Sequence, residues 1–302
     1  MAAFSLAGNA ASAQPTRTVA VTFDDVPIAG SSAPCDPAAA QAFTARLLAA
    51  IAAEAMPAAA FVNEGRVCSE HRDEILIRML GAWADAGHAL GNHTATHPDL
   101  NRTPLAVYLA DIDAGARVTR EVLSSRNREL EYFRHPQLHT GPNEQIRDAV
   151  AAHLAAQGYR LAPVTIDNQE WVFAAAYAAA GQRGDAAAQD RILGAYMPYM
   201  DSVFAFFEQR SRDVLGYEPP QILLLHANEL NIEALPALAA MMRARGYGFI
   251  TLEGALRDPA YASPDAYAGP RGLSWIHRWG LARGLPVEEE PREPEWVAAL
   301  VE

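Results

Sequence analysis

Two adjacent carboxylates follow the first strand that the sequence predicts. Residues 18–23 form a β-branched, apolar run, which is typical of a buried strand, and Asp24 and Asp25 come directly after it. In α/β folds the chemistry lies at the carboxyl ends of the strands, so this acid pair predicts an active site there. Other polar residues at strand ends are therefore candidate partners of the two aspartates.

Two histidines four residues apart follow another predicted strand, in the segment Gly-Asn-His-Thr-Ala-Thr-His-Pro. The spacing of His93 and His97 predicts that both lie on one side of a helical turn, where their nitrogens can converge on one ion. A carboxylate from Asp24 or Asp25 would complete a three-ligand site with an open position for water, as in catalytic zinc sites. Zinc is the first choice of divalent metal, and cobalt, nickel or iron fit the same ligands.

The elements that must position these residues alternate between strand and helix. Predicted strands begin with residues 18–23 and continue at 58–62, 88–91, 131–134, 159–166, 221–225 and 247–252. Predicted helices between them include residues 38–55, 71–86, 104–123, 143–157 and 232–245. This alternation indicates a parallel sheet with helices outside it, and the strand count favours a barrel one unit short of the common eight.

The composition fits one catalytic domain and excludes several classes of function. The 302 residues are 50% hydrophobic, enough for one large core, and the net charge of −12 argues against nucleic acid as a partner. All 24 basic residues are arginine, which excludes a P-loop lysine, a pyridoxal Schiff base and a Ser-Lys dyad. The sequence has no G-x-S-x-G elbow, and no apolar run has the length of a membrane span.

We predict three segments. Residues 1–14 read as a signal-peptide remnant or disordered tail, because Ala11-Ser12-Ala13 has the form of a signal-peptidase site. This favours a periplasmic or secreted location over a cytoplasmic one. Residues 15–257 are the predicted barrel, and residues 258–302 a C-terminal extension packed on it. Cys35 and Cys68 could form a disulfide in an exported protein or remain thiols.

Four short motifs occur in order along the chain and follow predicted strands. They are Thr22-Phe23-Asp24-Asp25, His93-x-x-x-His97-Pro98, Phe133-Arg134-His135-Pro136 and Leu223-Leu224-Leu225-His226. In this order they resemble the motifs of the polysaccharide deacetylases, carbohydrate esterase family 4, which act on chitooligosaccharides, chitin, peptidoglycan and xylan. The resemblance implies a distorted seven-stranded (β/α) barrel that binds a divalent metal, usually zinc, through an Asp-His-His triad.

The resemblance also implies a role for each matching residue. Asp25, His93 and His97 would bind the metal, and Asp24 would be the general base. Adjacent side chains of a strand point to different sides, so one carboxylate can bind metal while the other reaches the attacking water. His226 would protonate the departing amine, which is too basic to leave without a proton.

Further residues would support this chemistry. Arg134 would orient the base and keep it ionised, and the backbone N–H of Gln137 would stabilise the oxyanion. The family places an acid beside a tryptophan to tune the catalytic histidine. Here that acid is either Glu170 or Asp167, and the residues leave the choice open. Candidate substrate contacts are Gln137, His135 and Trp171.

Two departures from the family pattern affect the predicted substrate. Val26 replaces a glycine and Gln137 replaces an aromatic residue, which weakens the wall on which sugars stack. The aromatic residues that could rebuild this wall, or lie in the core instead, are Trp171, Phe173, Tyr196 and Tyr199.

The leading hypothesis is a metal-dependent hydrolase that removes N-acetyl, or as second choice O-acetyl, groups from a carbohydrate. The alternatives are an amidase or cyclic-imide hydrolase acting on a small non-sugar molecule, and a catalytically silent carbohydrate-binding protein. The expected partner is thus an oligosaccharide or a small molecule. The sequence does not predict an oligomeric state.

Overall fold

The computed structural model describes residues 17–30 and 35–301. The predicted signal-peptide remnant, residues 1–14, lies outside this range. The strands are β1 (Arg17–Val26), β2 (Ala58–Val62), β3 (Ala89–Asn92), β4 (Tyr132–Phe133), β5 (Arg160–Leu161), β6 (Gln221–His226) and β7 (Tyr247–Phe249). The α-helices are α1 (Pro37–Ala53), α2 (Arg72–Asp85), α3 (Leu105–Ala114), α4 (Arg117–Ser124), α5 (Glu144–Ala156), α6 (Glu170–Gln182), α7 (Ala186–Leu215), α8 (Glu229–Ala244), α9 (Leu252–Ala255), α10 (Trp275–Ala282) and α11 (Glu295–Ala298).

Strand β1 is the centre of a seven-stranded sheet with the order β5-β4-β3-β2-β1-β6. It pairs in parallel with β2 and β6, and its first residues pair with β7. Val19 is paired with both Gln221 and Phe249, so β6 and β7 lie on opposite sides of β1. The predicted parallel sheet of seven strands is confirmed.

The two outer strands of this order are joined by the segment after β5. Ile166 bridges Leu223 of β6, and the N–H of Leu224 donates to the carbonyl of Ile166 at 3.2 Å. The N–H of Thr165 donates to the carbonyl of Ile222 at 3.0 Å. The sheet therefore curves round on itself as the predicted distorted (β/α) barrel, with an irregular joint between β5 and β6.

The alternation of side chains along β1 separates two hydrophobic clusters. Val19, Val21 and Phe23 belong to the large cluster shared with the helices. Ala20 belongs to a smaller cluster built from alternate residues of the strands, which occupies the barrel interior. Because side chains alternate along a strand, Asp24 is on the same face of β1 as Ala20 and reaches the interior at the carboxyl end.

The single helix predicted over residues 104–123 is wrong: the structure has α3 and α4, separated at Gly115. A Cβ at Gly115 would lie 2.5 Å from the backbone carbon of Thr94, so this glycine lets the histidine loop pack closely against the end of α3. The buried carboxylate of Glu64 then accepts hydrogen bonds from the N–H groups of Val118 and Thr119 at 3.0 and 2.7 Å. A carboxylate at the N-terminus of a helix stabilises that helix, so a second helix, α4, can begin at this position.

Two predicted strands are also too long. The strand predicted over residues 159–166 ends at Leu161, since Pro163 has no N–H to give to a ladder. The strand predicted over residues 247–252 ends at Phe249, because Thr251 caps α9 by accepting the N–H of Gly254 at 3.0 Å. In both segments the strand ends before the apolar run that predicts it.

The C-terminal residues share the core of the barrel. Trp275, Ile276, Trp279 and Val297 are buried within the large cluster. The boundary at residue 258 stays a prediction.

Within the part of the chain that the structure describes, no helix combines the length and apolar character that crossing a membrane requires.

Cys35 and Cys68 form a disulfide, with their Cα atoms 4.9 Å apart. The sequence alone leaves open whether the two cysteines pair. The bond joins the start of α1 to the loop before α2, across a separation of 33 residues. Closing a loop of this length removes entropy mainly from the unfolded chain.

We predict that replacing both cysteines by serine lowers the free energy of unfolding by about 3–4 kcal/mol, the loop-entropy value for this separation. Urea denaturation of the oxidised protein and the double variant measures the difference. The two proteins should unfold at the same urea concentration once a reductant is added. A difference that persists under reduction would assign the loss to packing of the sulfur atoms instead.

Candidate active site

Asp24 and Asp25 lie at the carboxyl end of β1, as predicted. Asp24 is in register with His226 at the end of β6. The pairing of β1 with β2 shifts between Phe23 and Val26, and Asp25 has a φ of 60°. This left-handed conformation is uncommon outside glycine, although Asp tolerates it better than most residues. The irregularity is where the backbone directs two neighbouring carboxylates to different partners.

The two histidines lie on a loop, so the predicted helical turn is wrong. Thr94 and His97 have φ values of 67° and 59°, which no α-helix contains. The side chain of Asn92 accepts the N–H of Thr94 at 2.7 Å, and Asn63 donates to the carbonyls of His93 and Thr94. Polar side chains of neighbouring strand ends, rather than helical periodicity, bring the two imidazoles together.

Asp25, His93 and His97 form a cluster of ligand-type atoms that all lie within 4.8 Å of one another. Asp25 Oδ1 is 3.6 Å from His97 Nε2 and 3.9 Å from His93 Nε2. Within residues 17–30 and 35–301, this buried oxygen has no hydrogen-bond partner. Tetrahedral ligands at about 2.1 Å from a metal are about 3.4 Å apart, so the cluster has the dimensions of a divalent metal site.

The orientation of His93 and the protonation of His97 also suit a metal. His93 donates its Nδ1–H to the carbonyl of Arg134 at 2.8 Å, which directs Nε2 towards Asp25. Burial, with a contribution from His93, lowers the pKa of His97 to about 4. His97 is therefore neutral at pH 7, the form that binds metals.

Arg66 is a site residue that the sequence analysis missed. Its guanidinium donates to Asp25 Oδ2 at 3.1 Å and to the carbonyl of Gly30 at 2.7 Å. Burial raises the pKa of Asp25, but electrostatic interactions with the three nearby histidines, His97 first, and with Arg66 outweigh burial and lower it. No motif marks Arg66, since it lies in the loop after β2 and depends on tertiary folding to meet Asp25.

Asp24 has a different partner, the fully buried Arg134. The guanidinium donates to Asp24 Oδ1 at 2.7 Å and to the hydroxyl of Thr22 at 2.6 Å, and it stacks 4.0 Å from the ring centre of Phe61. Asp24 Oδ2 is 3.7 Å from His93 Nε2. One oxygen of Asp24 is thus bound by arginine, and the other is on the side of the histidine pair.

The structure pairs His226 with Glu170, not with Asp167. His226 Nδ1 is 2.7 Å from Glu170 Oε2, and Asn228 and Asn231 donate to the other oxygen at 2.6 and 3.0 Å. Burial lowers the pKa of His226, but the hydrogen bond and charge of Glu170 outweigh it and raise this pKa to about 9. Asp167 and His226 line one pocket together. Burial is the main cause that raises the pKa of Asp167 to about 7.

Two adjoining pockets share Asp25, Trp171 and His226. The one of about 490 Å³ also contains Asp24, both loop histidines, Gln137 and Asp167. The other, of about 610 Å³, continues along α6 past Arg66. The shared residues lie where the two pockets meet, so a ligand longer than one pocket would pass the candidate metal site.

The remaining predicted substrate contacts are divided between pocket and core. Trp171 is 54% exposed at the junction of the two pockets. The other aromatic residues suggested for a sugar-binding wall are buried: Phe173, Tyr196 and Tyr199. His135 is also buried, packs against Phe133 and Tyr108, and lines neither pocket.

A family model described as polysaccharide deacetylase matches residues 11–162. The chain belongs to the polysaccharide deacetylase family. The matched range includes Asp24, Asp25, both loop histidines and Arg134. Glu170 and His226 lie beyond the match.

Two solved structures with TM-scores of at least 0.50 show the same fold, and a third is similar at a lower score. A family 4 carbohydrate esterase (CE4) pseudoenzyme from Bacillus anthracis is 16% identical, with 80% of this chain and 66% of that chain covered and a TM-score of 0.50. A mutant of that pseudoenzyme is 16% identical, with coverage of 80% and 68% and a TM-score of 0.51. A family 4 carbohydrate esterase from Streptomyces lividans in complex with acetate is 21% identical, with coverage of 80% and 96% and a TM-score of 0.47.

We predict that the His226 ring of metal-free protein titrates near pH 9, because the Glu170 carboxylate stabilises the imidazolium. Replacing Glu170→Gln should lower this pKa by more than one unit, since burial then opposes the charge without compensation. NMR spectroscopy of ¹⁵N-labelled histidine rings measures both values.

Asp167→Asn is the matched control, since it removes a buried carboxylate that is not hydrogen-bonded to His226. Its effect on the pKa of His226 should be smaller.

The raised pKa of His226 also implies that the free energy of unfolding depends on pH. The ion pair contributes its full stability below about pH 6.5 and loses it as the pH rises through about 9. Titration of His226 below pH 6.5 in the unmodified protein would contradict this assignment.

Proposed function

We propose that this polysaccharide deacetylase family member is a metal-dependent hydrolase that removes N-acetyl groups from a carbohydrate. One observation carries the proposal. A buried, unpartnered oxygen of Asp25 faces the imidazole nitrogens of His93 and His97, beside a second carboxylate held by an arginine. A site that only binds sugars has no need for this arrangement of charges.

Asp25, His93 and His97 would hold a divalent metal, with zinc as the first choice and cobalt, nickel or iron as alternatives. Bound there, such a cation supplies Lewis acidity and lowers the pKa of water towards 7. Arg66 keeps the second oxygen of Asp25 occupied, so that Oδ1 is the oxygen offered to the metal.

Asp24 is the proposed general base. Arg134 binds Oδ1 and fixes the orientation of the carboxylate, while Oδ2 stays on the side of the histidines and can accept a proton from the attacking water. The proposed role of Arg134 is therefore to orient this base.

His226 is the proposed general acid. The hydrogen bond to Glu170 keeps the imidazole protonated and leaves its Nε2–H free to give a proton to the departing amine. The developing oxyanion would accept a hydrogen bond from the backbone N–H of Gln137, which lines the same pocket.

The proposed substrate is a sugar chain rather than a single small amide. Trp171 offers an exposed aromatic face at the junction of the pockets, where a sugar ring can stack. The two adjoining pockets extend from the proposed metal site in two directions, which would leave room for sugar units next to the one that carries the acetyl group. An O-acetyl group is the second choice of leaving acyl group.

We also propose a periplasmic or secreted location. The Cys35–Cys68 disulfide supports it, because structural disulfides form and persist mainly in oxidising compartments. The proposed organisation is a catalytic barrel at residues 15–257, with residues 258–302 as an extension packed against it.

The test is acetate release from N-acetylglucosamine oligomers. We expect chelator-treated protein to be inactive and added zinc to restore turnover. Asp24→Asn should lower kcat by at least about 100-fold while zinc still binds in a 1:1 ratio, because it removes the proposed base but no proposed ligand. His97→Ala is the companion variant and should lose zinc as well as turnover.

Other outcomes would assign a different function. Hydrolysis confined to small amides or cyclic imides would contradict the carbohydrate substrate. Binding of the oligomers without zinc-dependent turnover would identify a catalytically silent protein. An Asp24→Asn variant that retains most of its activity would show that Asp24 is not the base.

A further inference from the structure

The residue proposed to stabilise the oxyanion lies in a turn that local sequence does not favour. Gln137 and Leu138 both have a φ of 54°, two consecutive non-glycine residues in the left-handed region. Such conformations are strained for residues with a side chain and persist only where surrounding contacts enforce them. The contacts on this turn therefore identify what holds the Gln137 backbone in place.

Arg278, in helix α10, supplies one of these contacts. Its guanidinium donates to the carbonyl of Leu138 at 2.6 Å and to the hydroxyl of Thr140 at 2.7 Å. It is fully buried, is neutralised by Asp265 at 2.7 Å, and stacks 4.2 Å from the ring centre of Trp275. A planar guanidinium can satisfy these partners at once, which the point charge of a lysine cannot do.

The backbone of Gly272 makes a second contact, which is possible because this residue has no side chain. A Cβ at this position would lie 1.9 Å from the carbonyl oxygen of Gln137, so the two backbones can touch only because residue 272 is glycine. The same segment accepts a hydrogen bond from Asn101, in the chain after His97, through the carbonyl of Pro270 at 2.9 Å. Near the turn, the N–H of Gly269 donates to the carbonyl of Gly141 at 2.9 Å.

We propose that residues 269–278, here called the C-terminal clamp, maintain the geometry of the active site. The clamp holds the Gln137–Leu138 turn in the conformation that presents the Gln137 backbone to the pocket, and Arg278 is its positioning residue. This inference rests on the proposed function, in which the Gln137 N–H stabilises the oxyanion. From the sequence alone, residues 258–302 are expected only to pack on the barrel.

The test compares variants of the clamp with a matched variant elsewhere in the C-terminal segment. Gly272→Ala inserts a methyl group against the Gln137 carbonyl, and Arg278→Lys removes the planar donor set. Arg210→Lys is the control. Arg210 is also buried and binds the C-terminal segment at Glu288 at 2.7 Å, but it makes no contact with the turn among its described hydrogen bonds.

Each variant, loaded with zinc, is assayed for kcat and KM on N-acetylglucosamine oligomers and for amide hydrogen exchange in peptides that cover residues 136–140. We expect both clamp variants to lose at least tenfold in kcat, with KM and zinc stoichiometry within about twofold of the unmodified protein. Exchange should rise at residues 136–140 in both. Arg210→Lys should leave kcat and this exchange unchanged, whatever its melting temperature.

Unchanged kcat and unchanged exchange in the clamp variants would overturn the inference and leave the proposed function intact. An equal rise in exchange in Arg210→Lys would also overturn it, since any loosening of the C-terminal segment would then suffice. If Gly272→Ala does not fold, Arg278→Lys decides alone. If the unmodified protein releases no acetate, the proposed function fails, and hydrogen exchange still decides whether the clamp holds the turn.

Discussion

The site depends on placing two neighbouring carboxylates in a largely buried position. Burial carries a desolvation cost for each carboxylate, and like charges on neighbouring residues repel each other. The fold offsets this by giving each acid its own cation. Arg134 binds Asp24 from inside the barrel, whereas Arg66 binds Asp25 from the rim. The two acids therefore have different surroundings, and different surroundings allow different tasks.

A second charge pair completes the site from the other side. His226 and Glu170 come from β6 and the start of α6, and two asparagines satisfy the rest of the buried Glu170 carboxylate. The pair places a positive charge near Asp24 and Asp25 without adding a lysine, a residue that the whole chain lacks.

Residues at strand ends were predictable because strand patterns are local. The apolar run before Asp24 and the motifs around His93, Arg134 and His226 placed these residues correctly at the carboxyl ends of strands. What the sequence could not show depends on contacts between distant segments. Arg66 meets Asp25 only after folding, and the loop geometry of His93–His97 depends on Asn63 and Asn92 rather than on helical spacing. Similarly, only the tertiary structure shows that Glu170 rather than Asp167 hydrogen-bonds His226, and composition alone gives no sign that Gly272 touches the Gln137 backbone.

The proposed function requires that Asp25 binds a metal while Asp24, next to it in the chain, does not. Anomalous diffraction at the zinc edge, from crystals grown with zinc, distinguishes the two carboxylates. We predict one strong peak at about 2.0–2.2 Å from Asp25 Oδ1 and from the Nε2 atoms of His93 and His97, with Asp24 outside ligand distance. A peak bound by Asp24 in place of Asp25, or no peak between the two histidines, would contradict it.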